Sequence, residues 1–567
     1  MKSLILFLGV IFIITFPLFA DWSDDPAVNN AVCTLAGEQA ITKVGTGPTG
    51  DTYFGYFSNE SGNYNVRLQR FDQAGNPLWV NGGILVSDNT QMTWLTDWDM
   101  TVDLDNNAVL TFQDIRDGNN NVYAYKISPD GTFLWGADGL QLSNTSAFDA
   151  APKVTVTTNN NVVIAWGSED VSRLQKISPE GVLLWDSTGI EISGANSYTW
   201  PQPIGVESDH VIVKYYEDSG PVWAPTRHIY AQKFDANGNT VWDSPAAIST
   251  AGGITAWTQD LPIVKDNDNG FFIGWYDDRD NNMNADVYVQ HVDADGNCLW
   301  TANGVIASTD MNREHYYVYI AYQPDEDILY AYWNEMDYDQ NDRGIYGQKF
   351  DMTGTRKWED TGRVIIEISP VDVYPYGIGN VSGKVVVFYQ EGLNENYLKA
   401  MALDSTGDFV WPGGMITMCS VAATKLHAMV GSLNSNFWIA SWADDRNGNA
   451  DIFAQNINTD GTLGYSPQAH DPEMNDDQYQ VYAQPNPFRN STSIRFYTTG
   501  HSDITEISIY NVKGQLVRNL TVAFSPLHIV EATWDGKDTA GQNVKPGIYL
   551  YKITVDKKEI IQKIVKI

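Results

Sequence analysis

Residues 292–300 read VDADGNCLW, and this phrase, present in eight copies along the chain, decides the fold. In each copy a turn glycine is followed four positions later by an aromatic residue. The glycines are Gly75, Gly131, Gly181, Gly238, Gly296, Gly354, Gly407 and Gly461. Their spacing averages roughly 55 residues, a period that indicates a propeller or another repeat architecture.

Each repeat contains four predicted β-strands. Segments such as IYGQKFD (residues 345–351) alternate apolar and polar residues, and Asp, Asn and Gly separate them. This period-two pattern indicates strands, and no repeat has sustained helical periodicity. In the fifth copy the predicted strands are LPIVKD, FFIGWY, DVYVQHVD and NCLW running on to GVIAS. Eight such units predict an all-β chain with an eight-bladed β-propeller, and seven blades plus a degenerate copy is the alternative.

The eighth copy is incomplete, which bears on how the ring closes. It reads INTDGTLGY, so Tyr465 replaces the tryptophan and no fourth strand follows. The N-terminal segment that begins at Trp22 resembles the missing piece. We therefore expect the propeller to span residues 21–465 and the N-terminal strand to complete its last blade, which leaves no open sheet edge at the junction.

Most of the 19 tryptophans belong to the repeat. Seven follow the turn glycine, namely Trp79, Trp135, Trp185, Trp242, Trp300, Trp358 and Trp411. Four more end the predicted second strand, namely Trp166, Trp275, Trp333 and Trp442. A residue present in successive repeats packs against the neighbouring repeat more often than it contacts one ligand, because a ligand breaks the symmetry. We expect these tryptophans to be structural.

The two ends of the chain differ from the repeats. Residues 1–20 combine an early lysine, an apolar run and a final small residue, which is the layout of a signal peptide; an uncleaved anchor is the alternative. Residues 466–480 are polar, contain two prolines and are predicted to form a linker. In residues 481–567, alternating segments separated by turn residues predict a small immunoglobulin-like β-sandwich.

The charge distribution excludes two classes of partner. The formal net charge is −35, and because the last 87 residues contribute +4, the residues before them carry −39. A surface of this sign repels nucleic acid and anionic membranes. The three cysteines provide no disulfide framework or zinc motif, and no later apolar stretch is long enough for a transmembrane segment.

The loops between the second and third predicted strands are long, acidic and variable, so we expect them to form a ligand-binding face. The candidate ligand-binding residues are Asp114, Arg116, Asp277, Asp278, Arg279, Asp444, Asp445 and Arg446. Three interpretations stay open: structural calcium binding by the aspartates, carboxylate catalysis, and ion pairing within the loops. The pairs considered are Asp114 with Arg116, Asp278 with Arg279 and Asp445 with Arg446. No catalytic residue is assigned, and calcium is the one cofactor considered.

The repeats resemble those of known propellers. ALDSTGDFVW (residues 402–411), with its D-x-x-G-x-x-x-W core, is similar to the tryptophan-docking motif of eight-bladed quinoprotein-like propellers. Dehydrogenases of that family typically use a vicinal cysteine pair, whereas Cys33, Cys298 and Cys419 are not adjacent to one another, so their chemistry is not implied. The whole repeat also looks like that of secreted propellers from bacteria with a type IX secretion system.

The C-terminal domain resembles the type A sorting domain of the type IX secretion system and the related immunoglobulin-like domain of hook-capping type. The matching residues are Asn486, Pro487, Phe488, Ile509, Tyr510, Asn511, Gly514, Trp534, Asp535, Gly536, Gly541, Gly547, Ile548 and Tyr549. The resemblance implies an export signal that the secretion machinery recognises at the outer membrane and that is then removed or used for surface attachment. A plain accessory sandwich is the alternative.

Together these features predict an exported binding or scaffold protein that acts outside the cell or on its outer surface. The expected partners are the type IX machinery, through the C-terminal domain, and an extracellular glycan or protein, through the loop face. A carbohydrate-active hydrolase or lyase on the propeller is the alternative, and binding is favoured over catalysis. An enzyme would need unrepeated polar residues that converge at the mouth of the channel.

Overall fold

The computed structural model comprises two compact units that divide after Tyr465. It describes residues 21–465 and 481–566, apart from 92–97, 222–224, 256–259, 382, 435, 485–487, 489–490, 498–503, 512, 514, 521–522, 525–528, 540 and 556–557. The predicted leader and linker lie outside the described residues, as do Asn486, Pro487 and Gly514 of the sorting-domain motif. Among the described residues, none forms a helix long and apolar enough to cross a bilayer.

The described part of the first unit forms eight four-stranded antiparallel sheets, so the eight-bladed propeller is confirmed and the seven-blade alternative is wrong. The first described strand is β1 (Asn30–Cys33). Blades 1 and 2 contain β2 (Gln39–Thr46), β3 (Thr52–Ser58), β4 (Asn65–Phe71) and β5 (Ile84–Ser87), then β6 (Asp99–Val102), β7 (Ala108–Asp114), β8 (Asn121–Ile127) and β9 (Leu140–Gln141). Blades 3 and 4 contain β10 (Asp149–Val156), β11 (Val162–Ser168), β12 (Val171–Ile177) and β13 (Ile190–Ile192), then β14 (Ser197–Gly205), β15 (Val211–Ser219), β16 (Thr226–Phe234) and β17 (Ala246–Ser249).

The second half of the ring repeats the pattern, and each blade again uses four strands in chain order. Blades 5 and 6 contain β18 (Ile263–Lys265), β19 (Phe271–Asp277), β20 (Asp286–Val292) and β21 (Val305–Ile306), then β22 (Glu314–Gln323), β23 (Ile328–Met336), β24 (Arg343–Asp351) and β25 (Arg363–Ser369). Blade 7 contains β26 (Val373–Val381), β27 (Lys384–Glu391), β28 (Asn396–Leu403) and β29 (Met415–Ala423), and blade 8 begins with β30 (Lys425–Val430), β31 (Phe437–Asp444) and β32 (Asp451–Asn458). A single 3-10 turn (Glu207–Asp209) joins β14 to β15.

The N-terminal strand closes the ring. β1 pairs antiparallel with β32 and thereby becomes the fourth strand of blade 8. The next strand, β2, lies beside β30 and β31 as the first strand of blade 1. Across this junction the N–H of Gln39 donates to the carbonyl of Ala450 (2.7 Å). Both ends of the propeller chain therefore meet in one blade, which removes the free sheet edge there.

The second strand of a blade is apolar along its length because neighbouring strands cover both its edges and neighbouring blades cover its faces. In blade 5, β19 reads FFIGWYD, and every residue except Tyr276 is buried.

The prediction that NCLW begins the fourth strand is wrong, since β21 has only two residues and Cys298 makes only an isolated bridge to Val292. Trp300 leaves the ladder because its N–H bonds to the side chain of Gln290 (3.0 Å).

The tryptophans that follow the turn glycines dock each blade on the next. Nε1 of Trp300 donates to the carbonyl of Met352 in blade 6 (3.0 Å), and the ring covers Gly354. Gly354 has a φ of +78°, and a Cβ there would lie 2.8 Å from the indole. Glycine is therefore required both for the left-handed turn and for the close approach of the ring. The structural role predicted for this set of tryptophans is confirmed.

The second unit is an all-β sandwich of two four-stranded sheets. One sheet contains β33 (Val481–Gln484), β34 (Thr492–Tyr497), β37 (Ala523–Phe524) and β38 (Ile529–Trp534). The other contains β35 (Ile504–Asn511), β36 (Leu516–Leu520), β39 (Gly547–Val555) and β40 (Lys558–Lys566). Its core includes Phe488, Trp534 and Ile564, which are almost fully buried.

Candidate functional site

The strand order determines where the strands and loops of each blade lie. First strands of consecutive blades lie next to one another, for example β2 beside β6 and β10 beside β14, so they surround a central channel. The loops between second and third strands, together with the connections between blades, lie on one face. We call it the long-loop face. The candidate ligand-binding residues belong to these loops.

Asp277 and Arg279 form a buried pair at the start of such a loop in blade 5. Nε and Nη2 of Arg279 donate to the two carboxylate oxygens of Asp277 at 2.8 and 2.7 Å. Asp277 also accepts the Nε1–H of Trp275 (2.8 Å), and the guanidinium lies 3.4 Å from the ring centroid of Tyr288. The aspartate side chain is fully buried. This pair therefore fixes the loop to the end of the sheet.

The same Asp-x-Arg arrangement recurs in blades 2 and 8. Arg116 pairs with Asp114 and Arg446 pairs with Asp444, in both cases with the Nη2–Oδ2 distance at 2.6 Å. Burial alone would raise the pKa of Asp444, but the hydrogen bonds and charge of Arg446 hold it below the ordinary value. Ion pairing within these loops is thus present, but two of the three predicted partners are wrong. Arg279 and Arg446 pair with the aspartate two positions earlier, not with the adjacent one.

The adjacent aspartates, Asp278 and Asp445, accept backbone hydrogen bonds. Oδ1 of Asp278 accepts the N–H of Asn282 (2.9 Å), and Oδ1 of Asp445 accepts the N–H of Thr424 (2.8 Å). Over the part of the chain that the structure describes, no group of three His, Cys, Asp or Glu side chains is arranged to hold a metal ion. Ligand binding by these eight loop residues, and calcium in these loops, stay predictions.

A β-bulge near the start of the first strand is a second recurring feature of the channel wall. In five blades the bulge contains a non-glycine residue with a φ between 52° and 55°. These residues are Ile41, Ala151, Trp200, Tyr317 and His427. The backbone position is repeated, whereas the side chain differs in every blade. Bulges of this kind change the direction in which side chains point. At the rim of the channel on the long-loop face, the side chains therefore differ from one repeat to the next.

Four tyrosines from blades 5, 6 and 7 meet at this rim, and we call them the tyrosine cluster. They are Tyr276, Tyr316, Tyr317 and Tyr374. The ring centroids of Tyr276 and Tyr316 are 5.1 Å apart, and Tyr317 lies 6.2 and 6.3 Å from Tyr276 and Tyr374. Tyr317 is 48% exposed, whereas the other three are partly buried. The cluster therefore presents an aromatic surface to solvent.

Three lysines and one aspartate from four blades form a second group, and we call Lys43, Lys153, Lys214 and Asp260 the lysine cluster. Nζ of Lys153, in blade 3, lies 2.7 Å from Oδ2 of Asp260, which precedes β18 of blade 5. Burial would raise the pKa of Asp260, but Lys153, Lys43 and Lys214 lower it. Nζ of Lys214 also donates to the carbonyl of Trp200 (3.2 Å).

A buried histidine joins blades 5 and 6. Nδ1 of His315 lies 2.9 Å from Oδ1 of Asp286, and Nε2 lies 3.3 Å from Oε2 of Glu335. Burial disfavours the charged ring, but hydrogen bonds to Asp286 and Glu335 dominate and raise the pKa of His315 to about 9. The histidine is therefore a buried cation at neutral pH between two carboxylates.

In the second unit, the described motif residues form turns and core. Trp534 is fully buried, with its ring centroid 5.1 Å from that of Tyr549 and 5.2 Å from that of Phe488. Oδ1 of Asn511 accepts a hydrogen bond from the N–H of Lys513 (2.9 Å), and Oδ1 of Asp535 accepts one from Nη1 of Arg518 (2.8 Å). These motif residues therefore specify the fold of the domain.

The residues of the tyrosine and lysine clusters were not singled out from the sequence. A signal did exist, because Lys43 and Lys153 are the first paired residues after the bulge, where other blades have Gln202, Tyr319 or Met429. Aligning the repeats and searching for positions that vary would have found them. Their proximity in space, however, depends on ring closure.

Comparison with known proteins supports the division into two kinds of domain. The FlgD Ig-like domain family matches residues 487–559, so the second unit is an immunoglobulin-like domain of FlgD type. No curated protein matches the chain. The class defined by fold and comparison is therefore an eight-bladed β-propeller followed by a FlgD-type immunoglobulin-like domain.

Several solved structures are similar to the chain at low identity. The Dos1 propeller has a TM-score of 0.39 and 11% identity, covering 77% of this chain and 95% of its own. A protein of unknown function from Dyadobacter fermentans has a TM-score of 0.37 and 9% identity, covering 76% and 98%. The α-L-arabinofuranosidase Arb93A from Fusarium graminearum has a TM-score of 0.31 and 9% identity, covering 54% and 92%.

Proposed function

We propose that this protein is exported and binds an extracellular glycan at the rim of the channel on the long-loop face. The observation that carries the proposal is the tyrosine cluster, which gathers aromatic residues from three blades at one place. In each Asp-x-Arg pair the arginine binds an aspartate of its own blade, so these pairs keep the loops around the rim rigid. A rigid scaffold with variable residues at its rim is a common arrangement for ligand binding.

A sugar fits this surface for chemical reasons. The apolar face of a pyranose ring packs on an aromatic face, while tyrosine hydroxyls supply hydrogen bonds at the ring edges. Tyr316 and Tyr317 are adjacent residues of β22, and Tyr374 belongs to β26 of the next blade, so the rings are fixed by two neighbouring sheets. Little side-chain freedom is lost on binding such a preformed surface.

We also propose that the C-terminal domain directs export through the type IX system or attaches the protein to the cell surface. Support comes from the sorting-domain motif, from the FlgD-type fold and from a charge that is opposite in sign to that of the propeller. Because the described motif residues lie in turns and core, the recognition surface is formed by other residues of the same sandwich. The proposed location is therefore outside the cell or on its outer surface.

The glycan proposal is tested with the intact chain on a glycan array, followed by affinity measurement on the best hit. Tyr317→Ala should weaken binding about fivefold, because an exposed aromatic contact contributes about 1 kcal/mol. Tyr338→Ala is the matched control, since Tyr338 lies in a long loop of blade 6 and is 54% exposed. Equal effects of the two substitutions would contradict the assignment of the glycan-binding site to the rim.

A carbohydrate-active hydrolase or lyase is the second candidate, and Glu314 favours it. This carboxyl group is buried next to the tyrosine cluster, and Nε2 of Gln340 donates to it (2.5 Å). Burial raises the pKa of Glu314 above its ordinary value, as a general acid requires. Release of reducing ends or unsaturated sugars from a polysaccharide panel, lost in Glu314→Gln, would establish this activity in place of simple binding.

A further inference from the structure

The Asp-x-Arg arrangement of blades 2, 5 and 8 includes an aromatic ring as well as an ion pair. The guanidinium carbon of Arg116 lies 3.7 Å from the ring centroid of Tyr123, and that of Arg279 lies 3.4 Å from the ring centroid of Tyr288. Blade 8 makes the same contact at 4.0 Å. Each arginine therefore lies between a carboxylate and the face of a ring, an environment that suits a planar cation.

Blade 4 has the carboxylate and the ring of this arrangement but not the arginine. Its strand register places Tyr230 opposite Tyr215, which is the position that Tyr288 has in blade 5. Two positions after Tyr215 comes Glu217, which corresponds to the aspartate of the other blades. Two positions further along the chain, Ser219 stands in place of the arginine.

In the other blades, an acidic residue at this position is paired with a cation of the same chain. Besides the three arginine pairs, Oε2 of Glu335 in blade 6 lies 3.3 Å from Nε2 of His315. In blade 7, Oε1 of Glu391 lies 2.5 Å from Nζ of Lys399. Five of the six acidic residues at this position thus have a basic partner, and Glu217 is the sixth.

Glu217 makes no ion pair with any residue that the structure describes. His228 lies opposite it on β16 without pairing with it, and Arg227 pairs with Asp218 instead (2.7 Å). Oε1 of Glu217 accepts a hydrogen bond from Nδ2 of Asn196 (2.5 Å). A neutral amide therefore holds this carboxylate in place, and its charge is left for a ligand to neutralise.

The same groups are more accessible in blade 4 than in the blades with an arginine. The three aspartates of the arginine pairs are buried, whereas Glu217 is partly exposed. Tyr123 and Tyr288 are buried as well, whereas Tyr230 is partly exposed. In blade 3, which packs on this side of blade 4, residues 169–170 alone join the second and third strands. A ligand can therefore reach the carboxylate and the ring from solvent.

Three tyrosines of blade 4 line the site. Tyr198 is the cross-strand partner of Glu217 on β14. Its ring centroid lies 5.9 Å from that of Tyr215, which in turn lies 6.1 Å from that of Tyr230. Rings from three neighbouring strands thus lie beside one carboxylate on the same face of the sheet.

We propose that Glu217, Tyr198, Tyr215 and Tyr230 bind an arginine side chain of a protein or peptide partner. The arginine pairs of the other blades show the geometry, in which the guanidinium donates to a carboxylate and lies on an aromatic face. Arginine suits this site better than lysine because its planar group both stacks and donates in pairs. The charge of −39 before residue 481 attracts a basic partner.

This inference goes beyond the proposed glycan function, and it concerns a blade that contributes nothing to the tyrosine cluster. Its test uses the intact chain and two peptides, acetyl-Gly-Arg-Gly-amide and the analogue with citrulline, which has a similar shape and no charge. Titrations followed by saturation-transfer NMR should show binding of the arginine peptide and at least tenfold weaker binding of the citrulline peptide. Equal binding of the two peptides, or binding of neither, would overturn the proposal.

Glu217→Gln should weaken binding of the arginine peptide about tenfold, because it removes the charged acceptor and keeps the size of the side chain. Glu326→Gln is the matched control, since it removes an exposed carboxylate from the turn between the first two strands of blade 6. The control should bind like the wild type. Equal losses in the two variants would mean that the peptide responds to net charge alone, which would overturn the site.

Ser219→Arg gives a second test that does not remove the carboxylate. Residues two positions apart in a strand lie on the same face, so the new guanidinium should pair with Glu217 and compete with the peptide. Binding should fall about tenfold, whereas Ser219→Gln should have little effect. Thermal midpoints verify that each variant is folded, and undiminished binding in Ser219→Arg would contradict the site. Tyr317→Ala should leave peptide binding unchanged, so this site and the glycan site can fail separately.

Discussion

Trp22 packs its indole ring on the backbone of Gly75, so that a Cβ on this glycine would lie 2.7 Å from the ring. Nε1 of Trp22 donates to the carbonyl of Gln73 (3.1 Å), and Nε2 of Gln455 donates to the carbonyl of Ser23 (2.7 Å). Other blades make the same two contacts with their own tryptophan and glutamine. The N-terminal segment therefore replaces both the tryptophan and the strand that the eighth copy lacks.

Trp22→Ala should destabilise the ring at its closure. Trp22 is 3% exposed, and removing a buried tryptophan costs about 3–5 kcal/mol through lost burial and the cavity that remains. Denaturant unfolding followed by tryptophan fluorescence measures this loss. Val80→Ala, at a residue that is 78% exposed, should change the free energy of unfolding by less than about 0.5 kcal/mol. A loss in Trp22→Ala no larger than that in the control would contradict the closure.

Gly75→Ala should be more harmful than Gly118→Ala. Both glycines have a left-handed φ, of +98° and +84°, but a Cβ on Gly118 would meet no atom within 4 Å. The control thus isolates backbone strain, roughly 1–2 kcal/mol, whereas Gly75→Ala adds overpacking against Trp22 and should cost about 3 kcal/mol or more. Thermal midpoints of the two variants measure the difference, and equal midpoints would show that the ring does not press on Gly75.

Arg279→Met should destabilise blade 5 by about 3–5 kcal/mol, because it leaves the carboxylate of Asp277 buried without its cation. Arg356→Met is the matched control, since Arg356 pairs with Asp360, whose side chain is 76% exposed. An exposed pair contributes about 1 kcal/mol at most. Similar losses in the two variants, measured by denaturant unfolding, would mean that the buried pair has no special structural role.

The free energy of unfolding should depend on pH through His315. Its folded pKa is about 9 and thus above the ordinary 6.5, so the stabilisation is fully present below about pH 6.5 and is lost as the pH rises through 9. The loss amounts to about 3 kcal/mol. Unfolding measured from pH 6 to 10 should show this slope in the wild type and not in His315→Gln. If both proteins show the same slope, another titrating group causes the pH dependence.

Deletion of residues 481–567 should leave a folded propeller that remains in the periplasm of a type IX secreting host. Each unit has its own hydrophobic core, so the thermal midpoint of the propeller should be nearly unchanged. Fractionation and immunodetection locate the protein, and the full-length chain is the control. Normal release of the deletion variant would contradict the proposed export role.

The repeated features could be predicted because each is encoded locally. The turn glycine recurs in all eight copies and the tryptophan four residues later in seven. The indole N–H donates to a carbonyl of the next blade in five of them, namely Trp135, Trp185, Trp242, Trp300 and Trp411. The sequence predicts the correct loops for the ion pairs, but the partners predicted for Arg279 and Arg446 are wrong. Asp277 lies at the buried end of β19, whereas Asp278 lies beyond it, and burial decides which carboxylate holds Arg279.

The two clusters could not be predicted for the opposite reason. Lys153 and Asp260 are 107 positions apart, and only the fold brings them together. Aligning the repeats marks these positions as variable, but no local pattern shows which of them meet. They come together because the blades form a ring. The sequence periodicity predicts only the number of blades.

Closure by β1 also determines what happens when a propeller fails to close on itself. Until residues 451–458 are in place, β1 has no partner strand, and until β1 arrives, the outer edge of β32 stays unpaired. A second copy of the chain offers the identical strand in the identical register. Refolding at high protein concentration therefore favours domain-swapped dimers, in which each copy donates its first strand to the last blade of the other.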